Sequence, residues 1–255
     1  MNDSSEPMPL SRQDSLLDVS IPEMEDSIFS DELKEDLHSI GELSLRRSNR
    51  ADLRHKENGS IHAARLAINK VHQPTEAEMA PVISSGTADL MICQKMNAKT
   101  TFEYYQRHPG EEAFCHEHAE MVLHKLNMRG KGKKSLLLKV YNSAIQRSHI
   151  FVIYANVPEH EAIELLKPLA ETCKTAPFTY QPAGMNLKLF AEYLSNNAPK
   201  LFLIDAWSST KVLAFRENSS AETVSSALIP LVMEGLEECV LNPENIRVEA
   251  LRSYR

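Results

Sequence analysis

The sequence predicts an α+β fold, a helix-rich N-terminal half followed by short apolar strands separated by helices, without the strict strand–helix alternation of a parallel sheet. Two observations carry this expectation. CHEHAEMVLHKLNM places Ala119, Val122, Leu123 and Leu126 on one face at helical spacing, whereas HIFVIYANV and KLFLIDAW are short runs bounded by polar turns. The β-branched and aromatic content of HIFVIYANV favours extended backbone. With 255 residues, 42% of them hydrophobic and 25% charged, the chain can build one sizeable core plus a tail.

Residues 1 to about 60 are expected to be a disordered tail, with residues 61–255 forming the globular domain. Between Met1 and Asp36, eleven acidic residues stand against only Arg12 and Lys34, with many serines interspersed. Such a segment cannot offset the entropy of its own ordering. It then becomes a basic linker at Arg46, Arg47, Arg50, Arg54 and Lys56. A second reading makes it a secretion or docking segment with a transient helix, because Ile28, Leu33, Leu37, Ile40 and Leu43 recur at helical spacing.

Within the domain, IHAARLAINKV reads as a short helix, and Pro74 stops it or begins the next element. TADLMICQKM is apolar but of ambiguous type, and Pro109-Gly110 marks a turn after FEYYQR. The helix opening at Cys115 ends at Arg129-Gly130, and KSLLLKVY follows a basic turn as a first strand. HIFVIYANV is the second strand, residues 159–171 and LKLFAEYLSN are helices, and KLFLIDAW and KVLAF are further strands. TVSSALIPLVMEGLEECVL reads as a C-terminal helix in which Pro230 is a candidate kink. Its stripe of Ala227, Leu228, Leu231, Val232, Leu236 and Val240 reads as a core face, or as a groove for a partner.

A net charge of −7 argues against nucleic-acid binding, which needs a concentrated basic surface. No stretch reaches the roughly 18–20 apolar residues of a membrane span, and the N-terminus lacks the pattern of a general secretory signal. Cys93, Cys115, Cys173 and Cys239 are widely spaced and read as free thiols in a reducing compartment.

Three reactive residues sit at the ends of apolar elements. Cys115 opens a helix, where unpaired backbone N–H groups and the positive end of the dipole favour a thiolate. His149 opens a strand, and Asp205 follows the strand LFLI. A nucleophile at a helix start, a base and a carboxylate that orients the base make a thiol triad. Metal binding is a competing chemistry, since His116, His118 and His124 flank Cys115 together with Glu117. Residues 116 and 118 diverge around a helix, however, so this element alone assembles no tetrahedral set.

The blocks FCHEHAEMVLHKL, SHIFVIYANV and LFLIDAWSS resemble the Cys-His-Asp signature of papain-like thiol hydrolases among bacterial toxins and injected effectors, which include cysteine proteases and glutamine deamidases. Glu117 and Ala119 match the acidic and small residues that follow the nucleophile in that group, while Ala113-Phe114 departs from the Gly or Asn often found before it. The resemblance implies a papain-like core, with the Cys115 helix packed on an antiparallel sheet, and Cys115, His149 and Asp205 as catalytic residues. It implies no cofactor and no metal. It further implies an amide of a host protein as substrate, and delivery into the host cytoplasm by a specialised secretion system. The 56 residues from His149 to Asp205 require two helices to be inserted between paired strands. The oxyanion would be held by the Cys115 N–H, with Gln106 a further candidate. The alternatives are an inactive copy of the fold serving protein interaction, and a transferase that passes the acyl group to an amine.

Overall fold

A computed structural model describes residues 27–46, 59–71, 87–142, 144, 147–173, 184–208, 211–236 and 243–251. Among them are helices α1 (Ser27–Glu42), α2 (Gly59–Val71), α3 (Thr87–Arg107), α4 (Cys115–Met128), α5 (Glu159–Ala170), α6 (Leu187–Asn196) and α7 (Ala221–Leu236). The strands are β1 (Ser135–Asn142), β2 (Arg147–Ala155), β3 (Met185–Asn186), β4 (Leu201–Ile204), β5 (Val212–Ala214) and β6 (Ile246–Ala250). They form one sheet in the order β3-β6-β1-β2-β4-β5, antiparallel at every pairing. The fold is α+β, as the sequence predicts.

The central strands are apolar at almost every position because both faces of the sheet are covered. On one face, Leu136, Leu138, Phe151, Ile153 and Leu203 pack with Leu166 and Leu169 of α5, Phe190 and Leu194 of α6, and Leu228 and Leu231 of α7. On the other, Leu137, Val152, Tyr154, Phe202 and Ile204 pack with Ala119, Val122, Leu123 and Leu126 of α4 and with Ala98 and Phe102 of α3. The alternation within each strand is the period-2 geometry of extended backbone. Each large apolar side chain buried this way contributes about 1.5–3 kcal/mol. Gln94 of α3 joins the layers through polar contacts. Its side-chain amide accepts from Leu137 N (2.8 Å) and donates to the carbonyls of Leu137 (3.3 Å) and Leu251 (2.8 Å).

Three elements differ from the sequence-based expectation. Residues 27–42, placed in a disordered tail, form α1, whose Leu33 and Ile40 are buried in the same core cluster as α4. The acidic side of α1 meets the C-terminal end of α4. Arg129 donates to Asp36 Oδ2 (2.7 Å), Asp36 Oδ1 (3.0 Å) and Glu35 (3.0 Å), and Lys131 donates to Glu32 (3.0 Å). The basic linker from Arg47 to Lys56, the tail up to residue 26 and Pro74 lie outside the described residues. TADLMICQKM and FEYYQR are one continuous helix, α3, which ends just before Pro109-Gly110. The final strand β6, IRVEA, pairs with β1 and β3 beyond the last helix expected from sequence. None of the helices among the described residues is long and apolar enough to cross a membrane.

After α1 the chain runs as a strap beside the loop that leads into α4. Gly110 N donates to Leu43 O (2.8 Å), Arg46 N to Glu111 O (2.9 Å) and Ala113 N to Arg46 O (3.0 Å), a parallel bridge between Arg46 and Glu112. Gly110 takes φ of +77°, a conformation that a residue with a Cβ adopts only at a cost. On the other side of this loop, Glu112 accepts from Ile61 N at the start of α2 (3.0 Å).

Candidate active site

The topology gathers the ends of three elements. The tight turn after α4 leads into β1, and β2 returns beside β1, so β2 begins at the end where β1 finishes. β4 runs antiparallel to β2, and its end therefore lies beside the start of β2. α5, β3 and α6 intervene between β2 and β4 in sequence without separating them in the sheet. Continuing the Val152↔Ile204 register places His149 opposite Trp207, and their ring centroids are 5.1 Å apart.

Asp205 sits one residue beyond β4, still held in the ladder by its N–H donating to Lys211 O (2.9 Å). Its Oδ1 accepts from the backbone N–H groups of Trp207 (2.9 Å) and Ser208 (3.1 Å), leaving Oδ2 to accept from His149 Nε2 at 2.6 Å. This distance is at the short end for a charge-assisted bond. Lys211 closes the turn by donating to the carbonyls of Ala206 and Ser208, and Ser208 Oγ donates to Glu234 of α7 (2.5 Å). Asp205 is thus fixed by backbone, hairpin and helix before it meets the histidine.

His149 is fully buried, and its other ring nitrogen, Nδ1, makes no hydrogen bond. Burial opposes the charged ring, but the Asp205 charge and hydrogen bond, with a further contribution from Cys115, raise its pKa from 6.5 to about 10. Burial likewise opposes the Asp205 carboxylate, yet His149 and the two backbone N–H groups hold it below the usual carboxylate range. The pair at neutral pH is imidazolium and carboxylate. Because Nε2 is engaged by Asp205 and Cys115 interacts with the ring, Nδ1 is the nitrogen left for the sulfur.

Cys115 is the first residue of α4 and only 6% exposed. The first N–H groups of the helix have no intrahelical acceptor, and the ladder starts with His118 N donating to Phe114 O (3.1 Å). Glu117, fully buried, accepts from Phe114 N (3.0 Å) and so fixes the entry into the helix. Arg65 of α2 holds that carboxylate in turn, Nε to Oε1 at 2.8 Å and Nη2 to Oε2 at 3.2 Å.

The structure brings Cys115, His149 and Asp205 together. Gln106 is exposed near the end of α3. The three histidines of α4 turn to three different neighbours: His116 to Glu120 (3.2 Å), His118 Nδ1 to Phe114 O (2.8 Å), and His124 to a stack on Phe102 with centroids 4.6 Å apart. Among the described residues no group of three or more His, Cys, Asp or Glu side chains could hold a metal ion. Sequence reasoning assigned no role to Arg65, Ser208 or Glu234. No local pattern marks them, since the Arg65–Glu117 and Ser208–Glu234 pairs span 52 and 26 residues. Trp207, read as core or pocket wall, lies against the His149 ring.

The chain matches no protein-family model, no curated protein and no solved structure.

Proposed function

We propose that the protein is a thiol hydrolase acting on an amide of another protein, with Cys115 as nucleophile, His149 as general base and acid, and Asp205 as the residue that orients and charges His149. The observation that carries this reading is the fully buried Nε2–Oδ2 bond of 2.6 Å, which leaves Nδ1 of the same ring for Cys115. A surface histidine at a strand end gains nothing from such an arrangement.

In the reaction, the Cys115 sulfur, having passed its proton to His149 to form a thiolate–imidazolium pair before substrate arrives, attacks the carbonyl carbon. The oxyanion is met by the Cys115 N–H at the start of α4. The C–N bond breaks as His149 returns the proton to the departing nitrogen, leaving a thioester. Water, deprotonated by the same histidine, then releases the acid. A side-chain carboxamide would lose ammonia in this sequence, and a peptide bond would lose its amine. Resemblance to the toxin and effector hydrolases favours the side-chain amide of a host glutamine, with a papain-like core as scaffold.

The test is the rate of iodoacetamide labelling at Cys115 at pH 6.5, read by peptide mass spectrometry in wild type and His149→Ala. We expect the variant to label at least about tenfold more slowly. Equal rates would overturn the reading and favour a binding module that retains the arrangement without its chemistry.

A further inference from the structure

Two carboxylates lie close to the Cys115 nucleophile, and only one of them belongs to the triad. Glu117 is two residues beyond Cys115, in the first turn of the same helix, and is fully buried. A buried negative charge there opposes both a thiolate and the oxyanion that follows it, unless a cation offsets it. The cation is supplied from a distant part of the chain. Arg65 grips Glu117 through two N–H groups, and its guanidinium carbon lies 5.2 Å from the centroid of Phe114, the residue immediately before Cys115. The guanidinium also interacts electrostatically with Cys115 itself.

We infer that Arg65 is a positioning residue for the nucleophile, fixing the first turn of α4 through Glu117 and supplying the positive charge that offsets Glu117 beside Cys115. This inference rests on the thiol-hydrolase reading. It assigns a task to α2, which contributes none of the reacting groups. Glu117 then has two duties that need opposite things. Its oxygen must accept from Phe114 N to shape the helix start, and its charge must be cancelled for the sulfur to act. A bidentate guanidinium meets both, because it pairs with the carboxylate without displacing the Phe114 N–H.

The experiment compares two alkylating agents of similar size, anionic iodoacetate and neutral iodoacetamide, at Cys115 of the full chain. The ratio of their rates reports the local charge and is insensitive to a general loosening of the fold. Arg65→Ala alone would strand a buried carboxylate and could fail to fold, so the decisive comparison is made where that carboxylate is absent. Glu117→Gln keeps an acceptor for Phe114 N and leaves Arg65 uncancelled, and should raise the iodoacetate-to-iodoacetamide ratio about threefold or more. Adding Arg65→Ala to Glu117→Gln should return the ratio to that of wild type. Arg65→Lys, which keeps the charge, should leave the ratio near wild type while slowing both reagents as the forked grip is lost. Equal ratios in Glu117→Gln and the double variant would overturn the assignment and reduce Arg65 to a packing residue. The underlying reading fails separately, through wild type and His149→Ala labelling with iodoacetamide at the same rate.

Discussion

Replacing Asp205 by Asn keeps an acceptor for the N–H groups of Trp207 and Ser208 but removes the charge that faces His149 and puts an amide donor in place of Oδ2. In the wild type, against the opposing effect of burial, that charge and its hydrogen bond, with a further contribution from Cys115, lift the His149 pKa from 6.5 to about 10. At 1.36 kcal/mol per unit the rise corresponds to about 5 kcal/mol, the upper end of the roughly 3–5 kcal/mol lost when a buried ion pair is broken. The same interaction depresses the Asp205 pKa, so it is counted once. The sign follows from where the protons sit. The folded state holds the His149 proton more tightly than the unfolded state, so this stabilisation is complete below the unfolded value near 6.5 and is lost as pH rises through about 10. Asp205, depressed in the folded state, contributes fully above its unfolded value near 3.9 and loses that contribution as pH falls through its folded value. Urea unfolding of wild type and Asp205→Asn should therefore differ most near pH 5–6, by about 3–5 kcal/mol, with the gap narrowing steadily toward pH 9–10. A gap of constant size from pH 6 to 9.5 would refute the reasoning, because it would mean that His149 carries no proton on account of Asp205. The variant should also lose catalysis. An Asn amide donating to Nε2 forces the neutral ring to carry its proton on Nδ1, where it can no longer accept from Cys115.

Cys115→Ala should abolish hydrolysis while costing about 1 kcal/mol or less in unfolding free energy, because a small buried side chain is exchanged for another; residual turnover above that of buffer would exclude Cys115 as nucleophile. Trp207→Ala opens a void against the His149 ring and should cost about 3–5 kcal/mol, measured by thermal or urea unfolding. Gln94→Leu leaves the Leu137 N–H without its acceptor between two packed layers and should cost about 1–3 kcal/mol. Arg129→Ala should release α1 from the end of α4 for about 1–2 kcal/mol, seen as faster amide hydrogen exchange across residues 27–42 with little change in the strands.

Most elements were legible because their periodicity is strong. HIFVIYANV and LFLI read as strands from their short apolar, β-branched and aromatic runs, and the stripe through Ala119, Val122, Leu123 and Leu126 reads as a helix face. The three residues proposed as a triad stood out for a related reason: each polar group ends an apolar element, where nothing in the pattern calls for it. What escaped was set by long-range partners. The helix α1 has too few apolar residues to order alone, and its stability comes from burying Leu33 and Ile40 in the core cluster of α4 and from Arg129 and Lys131, nearly a hundred positions away. β6 is a short, half-buried strand of alternating pattern between β3 and β1, too short to stand out until its neighbours pair with it. The ambiguity of TADLMICQKM reflects a helix, α3, that touches both core clusters, Leu90 and Met91 in one and Ala98 and Phe102 in the other, so its apolar residues follow no single stripe.

The strap from Leu43 to Arg46 bears on how this protein can be cut. A recombinant piece beginning at residue 61, the natural choice if everything before it were a tail, would strip the backbone partners from Gly110, Glu111 and Ala113 and uncover the surface beneath Leu33 and Ile40. Such a piece would keep the sheet and Cys115, His149 and Asp205, yet lose the rail that guides the chain into Cys115. Because α1 and the strap are contiguous, a peptide covering residues 27–46 added in trans has the contacts needed to restore it, so the missing end could be titrated back like a ligand.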